Sequence, residues 1–328
     1  MGRKLGRIIS IALVVLATGT AHSQSTPTNS GPVFPNKPIR IVTSLPGGGS
    51  DLMARIIAQG LPANLGQPIV VENRPGGVVP GEIVFKAPPD GYTLLVSGNL
   101  LWLQPFMKGN RVPYDPVKNF APVSLVTNAP NILVVHPSVA AASVKELIAL
   151  AKAKPGVLNC STAATASSSH LALELFKSMA GVDVVRIPYK GNVPAVTDLM
   201  GGQVQMSFAT PAAVTPHAKS GKLKILAVTS LQPFTLFPGA PTMAASGLPG
   251  YESGTITGLF APAKTPAAIV NKLYQEVARG INAGEVKDKL LATGVEVVAG
   301  TPAQLAAAVK SEMSRLGKVI KDNDIRDE

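Results

Sequence analysis

The sequence predicts an α/β protein of two lobes, each a central sheet flanked by helices, with a ligand cleft between the lobes. Two observations support this fold class. Short apolar runs alternate with helical patterns in two successive series along the chain, which is typical of sheets covered by helices. The chain is also long for a single hydrophobic core, because such cores rarely serve more than about 250–300 residues.

The amino-terminal segment has the pattern of a secretory signal peptide. Basic residues precede an apolar run over 8–17, and the small residues Ala21 and Ser23 mark a cleavage site. A membrane anchor is the weaker alternative, because the apolar run is well short of the about 20 residues that a span needs. We therefore expect residues 1–23 to be removed on export and residues 24–33 to form a flexible leader.

Composition argues against several kinds of site. Without the signal, 305 residues remain, with 27 basic and 19 acidic side chains and a net charge of +8. The basic residues are scattered, which disfavours nucleic-acid binding. Cys160 is the single cysteine, so we expect a buried, inert thiol and no disulfide. The histidines share no metal-ligand spacing, and neither a metal nor a cofactor is expected.

The first series of elements is a βαβαβ unit. Apolar runs predict strands over 39–43, 69–72 and 92–97. Helical patterns predict helices over 51–64 and 78–86. Ser50 or Asp51 is expected to cap the first helix. This order of elements predicts a parallel sheet covered by helices.

The second series is again α/β. Its predicted strands are 132–135, 157–160, 184–187, 203–208 and 224–228. Its first predicted helix begins with a capping box over 143–146 and ends before Pro155. Further helices are predicted over 170–180, 193–200 and 211–220. Gly181 is expected to stop the helix over 170–180.

The remaining part of the chain is expected to combine an irregular crossover with two helices. Residues 233–266 are rich in proline and glycine and are interpreted as irregular. Thr265–Pro266 and Thr301–Pro302 each predict a helix start, with threonine as the N-cap and proline at the first position. We assign residues 34–128 plus 252–328 to lobe one and residues 129–251 to lobe two, sizes that suit ordinary domains.

Two loops are candidates for ligand binding, because ligands of open α/β sheets bind beyond the carboxyl ends of the strands. The loop over 44–50 is rich in glycine, and the loop over 161–169 carries hydroxyl groups on six of its nine residues. Each loop leads into a helix start, where unpaired N–H groups and a partial positive charge attract an anion. The alternatives are a plain tight turn for the first loop and a solvated surface connection for the second.

Catalysis has little support in the sequence. The G-x-S-x-G elbow, the P-loop and the G-x-G-x-x-G fingerprint are all absent. A secreted α/β hydrolase using Ser50 or Ser169 is the alternative from the enzyme class. His170 is interpreted as a capping or packing residue. Trp102 could belong to the core, the lobe junction or the cleft wall, and Arg74 could be a ligand counter-ion or part of a surface ion pair.

Many short segments together resemble one known family. In the first part of the chain they are 34–42, 46–51, 54–55, 66–67, 70–76 and 89–95. Further on they are 170–171, 176–177, 187–191, 198–204, 221–223, 226–229, 241–242, 247–252 and 258–262. These segments, in this order, are similar to the Bug family, the TctC-like receptors of tripartite tricarboxylate transporters. The resemblance covers nearly all of the chain after the signal.

The resemblance implies a periplasmic solute-binding protein with the two-lobed periplasmic-binding-protein fold. It implies capture of a small carboxylate, delivery to the membrane permease subunits of a tripartite transporter, no catalysis and action as a monomer. A sensing role for a signalling partner would use the same fold and pocket. The implied ligand-binding residues are Ser44, Leu45, Pro46, Gly47, Gly48, Gly49, Ser161, Thr162, Thr165, Ser168, His170 and Ala209.

Three departures from the family pattern bear on the choice of ligand. Leu45 stands where the family usually has an aromatic residue, and the loop over 161–169 lacks the usual glycines. Ala209 follows Phe208 where an aspartate is frequent. Such an aspartate could pair with an amino group, and an unpaired cation is costly to bury. We therefore expect a mono- or dicarboxylate without an amino group, aromatic acids included, with the choice decided near Leu45 and Gly49.

Overall fold

Two β-sheets, both covered by helices, organise the chain in the computed structural model. The structure describes residues 34–46, 49–61, 65–75, 77–107, 111–218, 220–292 and 294–326. The predicted signal peptide and leader lie outside these residues. The chain from Phe34 onward forms one compact unit that contains both sheets.

Sheet one has six strands in the order β11-β4-β10-β3-β1-β2. The strands are β1 (Ile39–Thr43), β2 (Ile69–Asn73), β3 (Thr93–Ser97), β4 (Phe120–Pro130), β10 (Gly254–Pro262) and β11 (Glu296–Gly300). β1 pairs in parallel with β2 and β3, which confirms the predicted βαβαβ unit. β10 joins this parallel half to β4 by antiparallel pairing on both of its edges.

Sheet two has five strands in the order β7-β6-β8-β5-β9. The strands are β5 (Ile132–Val135), β6 (Asn159–Thr162), β7 (Val185–Pro188), β8 (Met206–Ala209) and β9 (Lys224–Val228). β6 pairs in parallel with β7 and β8, and β5 is antiparallel to β8 and β9. The carboxyl ends of β6 and β8 therefore lie at the same edge of the sheet.

Helices follow most strands. They are α1 (Gly49–Gly60), α2 (Val78–Phe85), α3 (Leu100–Leu103), α4 (Val144–Ala153), α5 (Ser168–Ala180), α6 (Asn192–Met200), α7 (Pro211–Ala218), α8 (Ala267–Ile281), α9 (Gly284–Ala292) and α10 (Pro302–Asp322). A short 3₁₀ helix, Gln104–Phe106, continues α3. None of the helices in the described ranges is long and apolar enough to cross a bilayer.

The predicted helix signals have mixed outcomes. Ser143 caps α4, Gly181 ends α5 in the left-handed conformation, and Thr301 forms a complete capping box with Gln304, all as predicted. The predicted cap of α1 is wrong, because the helix begins at Gly49 and includes Ser50 and Asp51. The predicted cap of α8 is also wrong, since Pro266 occupies the N-cap position and the Thr265 hydroxyl donates instead to the Pro262 carbonyl at 2.7 Å.

Residues 233–266 are not irregular throughout, as the sequence suggested. β10 lies within this segment and occupies the middle of sheet one. Glycine at position 258 of β10 leaves room for neighbouring side chains, because a Cβ there would lie 2.7 Å from Cδ1 of Leu305. β4 and β11, which complete the antiparallel half of the sheet, were not predicted either.

The chain passes between the sheets at two adjacent points. Asn131 separates β4 from β5, and Ser253 immediately precedes β10. Thr229 joins both crossings. Its hydroxyl accepts a hydrogen bond from the backbone N–H of Asn131 at 2.7 Å and makes a short contact with the Ser253 carbonyl. Asn131, Thr229 and Ser253 are all buried.

The largest hydrophobic cluster contains residues from both sheets. It joins Trp102 and Phe260 beside sheet one to Phe176, Phe208 and Tyr251 beside sheet two. The Tyr251 hydroxyl also donates to the Ala172 carbonyl of α5 at 2.6 Å. The sheets are therefore packed together on the side of the molecule where this cluster lies.

Candidate functional site

A cleft lies between loops that follow strands of the two sheets. Its first compartment is a cavity of about 330 Å³. Sheet one contributes Ser44 after β1, Gly49 at the start of α1 and Asn99 after β3, and sheet two contributes the loop over 164–168. The two loops that the sequence singled out therefore line one cavity. Its size falls within the usual range of small-molecule pockets, about 300–1,000 Å³.

A second compartment of about 460 Å³ adjoins the first. Gly49, Ser167, Ser168 and Thr255 line both compartments, and we call these four residues the junction. A Cβ at Gly49 would meet no heavy atom within 4 Å among the described residues, apart from its chain neighbours and the backbone of its own helix. The space next to Gly49 is therefore open, and the two compartments form one continuous cleft.

Several helices point their amino-terminal ends at the cleft. Gly49 begins α1 and Ser168 begins α5, and both residues belong to the junction. Asn192 and Pro211, the first residues of α6 and α7, line the second compartment. Each helix start presents unpaired N–H groups and a partial positive charge. The amino-terminal ends of helices beside both sheets therefore combine to favour a negatively charged ligand.

The walls of the cleft mix hydrogen-bonding residues with apolar ones. Among the described residues, none that lines either compartment is Asp, Glu, Lys, Arg or His. Hydroxyl and amide groups can donate hydrogen bonds to a carboxylate without a full opposite charge. An ammonium group, in contrast, would find no carboxylate partner among these lining residues.

The β6–α5 loop is held by hydrogen bonds to its own backbone. The Ser169 hydroxyl accepts from the Ala163 amide at 2.8 Å, and Nδ1 of His170 accepts from the Ala166 amide at 3.0 Å. Burial, together with the positive charges of Arg186 and Lys177, lowers the pKa of His170 to about 4. His170 is therefore neutral at neutral pH and acts as an acceptor that shapes the loop.

The β1–α1 side of the cleft is fixed by Asn73 at the end of β2. Its amide nitrogen donates to the Ser44 carbonyl at 2.7 Å and to Asp51 at 2.8 Å. Arg55 donates to the other oxygen of Asp51 at 3.1 Å. One side chain thus holds the loop end and the first turn of α1 in a fixed relation.

The far wall of the first compartment rests on a buried carboxyl group. Asn99 donates to the Gly254 carbonyl at 3.0 Å and to Glu312 at 3.1 Å, and Trp102 Nε1 donates to Glu312 at 2.8 Å. Burial raises the pKa of Glu312 to about 7, although these hydrogen bonds and the charge of Arg315 act in the opposite direction. Asn99 is thereby fixed at the cavity wall.

The predicted site residues fall into three groups. Ser44, Gly49, Thr165 and Ser168 line the cleft together. Leu45 and Pro46 are exposed beyond β1 and do not line either compartment, and Gly47 and Gly48 lie outside the described residues.

The third group is buried behind the cleft. Ser161 donates to the Ala195 carbonyl at 3.1 Å, and the Thr162 hydroxyl accepts from Arg186 at 2.9 Å. Ala209 lies within β8 with no exposed surface, and His170 is also buried. The structure does not bring Ser161, Thr162, His170 or Ala209 to the lining of either compartment, because strands β6 and β8 and the first turn of α5 hold them inside.

Sequence reasoning missed several lining residues. Ser97 ends β3 and Asn99 follows it, where the rule on strand carboxyl ends could have found both. Thr255 had no usable signal, since it lies on β10, an antiparallel strand that the sequence did not predict. Ser50, one of the two serines considered as nucleophiles, lines the first compartment, whereas Ser169 is fully buried.

Three residues left open by the sequence are now assigned. Trp102 is a core residue with no exposed surface. Arg74 pairs with Glu72, to which its Nε donates at 2.6 Å, so the ion-pair alternative is confirmed. Cys160 is buried as expected, and burial raises the pKa of its thiol well above the usual value.

Comparison with known proteins gives a consistent result. The family model for the tripartite tricarboxylate transporter family receptor, TctC, matches residues 53–325. Protein BugT of Bordetella pertussis is 35% identical over 326 residues, which cover 96% of this chain and 97% of BugT.

Two solved structures from Rhodopseudomonas palustris are similar along almost their whole length. Rpa4515, solved with adipate, is 33% identical with a TM-score of 0.71, over 89% of this chain and 99% of that one. MatC, solved with bound malate, is 31% identical with a TM-score of 0.69, over 88% of this chain and 100% of that one. The likeness confirms the predicted α/β fold class.

Proposed function

The chain belongs to the tripartite tricarboxylate transporter receptor family, and we propose that it is a periplasmic receptor that captures a small carboxylate in the cleft and delivers it to the permease subunits of such a transporter. The observation that carries this proposal is the convergence of helix starts from both sheets on one uncharged cleft. Such a cleft favours an anion and provides hydrogen-bond donors for it.

The ligand carboxylate is proposed to bind at the junction. There the first turns of α1 and α5 offer backbone N–H groups, and Ser44 and Thr165 stand nearby on the two loops. Ser161, Thr162, His170 and Ala209 would act indirectly, by holding the loops that carry these donors.

The solved relatives support a carboxylate as the ligand class. Rpa4515 was solved with adipate and MatC with malate, and both acids are dicarboxylates without an amino group. Ala209 and the uncharged lining of the cleft offer no partner for an ammonium group among the described residues. We therefore expect amino acids to bind more weakly than the corresponding acids, since a buried unpaired cation is costly.

Capture is proposed to proceed by closure of two lobes, as in hinged binding proteins. Lobe one would comprise residues 34–128 plus 252–328 and lobe two residues 129–251. These boundaries fall close to Asn131 and Ser253, where the chain passes between the sheets. Bringing the lobes together would remove the ligand from water and strengthen its hydrogen bonds.

Binding can be tested with purified protein lacking residues 1–23. We expect adipate, malate or another acid of a carboxylate panel to raise the melting temperature, whereas matched amino acids raise it less. Ser44→Ala should weaken binding roughly tenfold, because a hydrogen bond to a charged group contributes about 1.5–3 kcal/mol.

Ser314→Ala is the matched control for Ser44→Ala. Ser314 is an exposed serine of α10, away from the cleft, so its loss should leave affinity at the wild-type value. The proposal would be refuted if only amino acids stabilised the protein. Uptake of the labelled acid by cells that do or do not produce the receptor then separates transport from sensing.

A further inference from the structure

We propose that the ligand carries an apolar body next to its carboxylate, and that the second compartment holds this body. This inference rests on the proposed function, because it takes the carboxylate to bind at the junction. It adds a place for the rest of the ligand: the carboxylate lies at the junction and the carbon chain lies against the apolar wall of the second compartment.

Both compartments combine hydrogen-bonding and apolar walls. Ser44, Ser50, Ser97, Asn99, Thr165 and Ser167 give the first compartment many hydrogen-bonding groups, beside Pro80, Leu100 and Leu171. The second compartment has hydroxyl or amide side chains on seven of its fifteen lining residues, and its apolar wall is formed by Leu52, Met53, Ala129, Pro211, Ala212 and Val295. Four of those seven residues are threonines, which present a methyl group as well as a hydroxyl. An apolar group leaving the junction would therefore find partners on the second side.

Leu52 is the most informative of these residues. It is 40% exposed, although the other large apolar side chains of α1, those of Met53, Ile56 and Ile57, are buried or partly buried. Its neighbour Met53 is almost fully buried in the core and forms the base of the same wall. A ligand carbon chain lying against Leu52 would remove apolar surface from water, which is a favourable change.

The second compartment has a fixed side wall. Gly294 has a positive φ of 77°, and a Cβ there would lie 2.7 Å from the backbone nitrogen of Ala212. The segment before β11 thus contacts the first turn of α7, and sheet one and sheet two meet at this wall. The wall limits the length of ligand that the compartment can accept, so affinity should rise with chain length and then fall.

The junction explains why both compartments can serve one ligand. The first residues of α1 and α5 lie there, so helices from beside both sheets direct their amino-terminal ends at one point between the compartments. An acid with its carboxylate at this point can extend a carbon chain to one side. A second polar group of the ligand would reach the hydroxyl groups of the first compartment.

Calorimetry with a series of acids tests the inference. The probes are acetate, butyrate, hexanoate, benzoate, malate and adipate. We expect affinity to increase about fourfold for each methylene group added from butyrate to hexanoate, which is the gain from burying such a group. Benzoate should bind more tightly than malate, whose chain is short and carries a hydroxyl group.

Variants assign the effect to the second compartment. Leu52→Gln should lower the affinity for hexanoate about tenfold more than the affinity for acetate. Leu231→Gln is the matched control, because Leu231 is a leucine of similar exposure outside the cleft, and it should leave the whole series unchanged. Circular dichroism and melting curves verify that both variants are folded.

The outcomes separate the inference from the proposed function. If malate binds as tightly as hexanoate and benzoate, and Leu52→Gln weakens all acids equally, the apolar compartment is refuted while carboxylate binding stands. If no acid of the series binds to the folded protein, the proposed function fails and the inference fails with it.

Discussion

Two buried titratable side chains near the cleft act on stability in opposite directions as pH changes. Glu312 has a raised pKa of about 7 and His170 a lowered pKa of about 4. The folded state holds the Glu312 proton more tightly than the unfolded chain does, whereas it resists protonation of His170. Over nearly the same pH range, stability therefore falls with rising pH through Glu312 and rises through His170.

Glu312→Gln should remove the first of these contributions. The pKa of Glu312 is raised from 4.5 to about 7, so its contribution is complete below pH 4.5 and is lost as pH rises toward 7 and above. The loss amounts to about 3 kcal/mol. Urea unfolding at pH 5 and pH 8 measures it: relative to wild type, the variant should gain stability at pH 8 compared with pH 5. Parallel pH profiles for the two proteins would contradict this account.

The residues in and behind the cleft show what the sequence could predict at the scale of single residues. Ser44, Gly49, Thr165 and Ser168 were found because they lie in loops after parallel strands, where a general rule applies. The contact between Glu312 and Asn99 could not be predicted, since the two residues are 213 positions apart in the sequence. Their contact depends on how α10 packs against α3, and no local pattern encodes that packing.

At the scale of elements, local chemistry decides where some helices begin. Thr301 and Gln304 satisfy each other's backbone at the start of α10, with bonds of 3.2 and 2.8 Å. Thr301→Ala should therefore lower the free energy of unfolding by about 1 kcal/mol. Ser314→Ala, within the same helix, should be neutral or slightly stabilising, because alanine favours helix more than serine does. Equal losses from both variants would show that the cap contributes nothing specific.

The strands that the sequence missed have a common physical reason. β10 contains Gly254, Gly258 and Pro262, residues that normally indicate turns. Its glycines are needed because neighbouring groups approach closely: a Cβ on Gly254 would lie 2.7 Å from the Ala129 carbonyl oxygen. β4 likewise carries prolines at positions 122 and 130. Tertiary packing, rather than strand propensity, makes these segments extended.

At the scale of the whole molecule, the two chain crossings suggest where closure would pivot. Thr229 binds both crossings, and Asn131 also donates to the Ser168 carbonyl of the junction at 3.2 Å. The Asn131 side chain therefore connects the chain crossings, where closure would pivot, to the proposed carboxylate site at the junction. The hydrophobic cluster shared by the two sheets includes Leu133 and Tyr251, each two residues from a crossing, and would restrict closure to a modest rotation.

Small-angle scattering tests closure directly. We expect the radius of gyration to fall when adipate saturates the protein, toward the about 19 Å typical of a compact chain of this length. Ser44→Ala, at an adipate concentration that saturates only the wild type, should show a smaller fall. An unchanged radius at saturation would argue against closure and leave a rigid cleft.

The position of sheet two within the chain has a consequence for the order of synthesis. All strands of sheet two lie between Ile132 and Val228, whereas β4 pairs only with β10 and β11, which begin at Gly254 and Glu296. A ribosome releases the chain from its amino end, so sheet two can be complete while β4 still has two unpaired edges. Unpaired strand edges promote aggregation. The eleven residues of β4 are therefore the segment of the nascent chain that most needs protection until the last quarter of the protein has emerged.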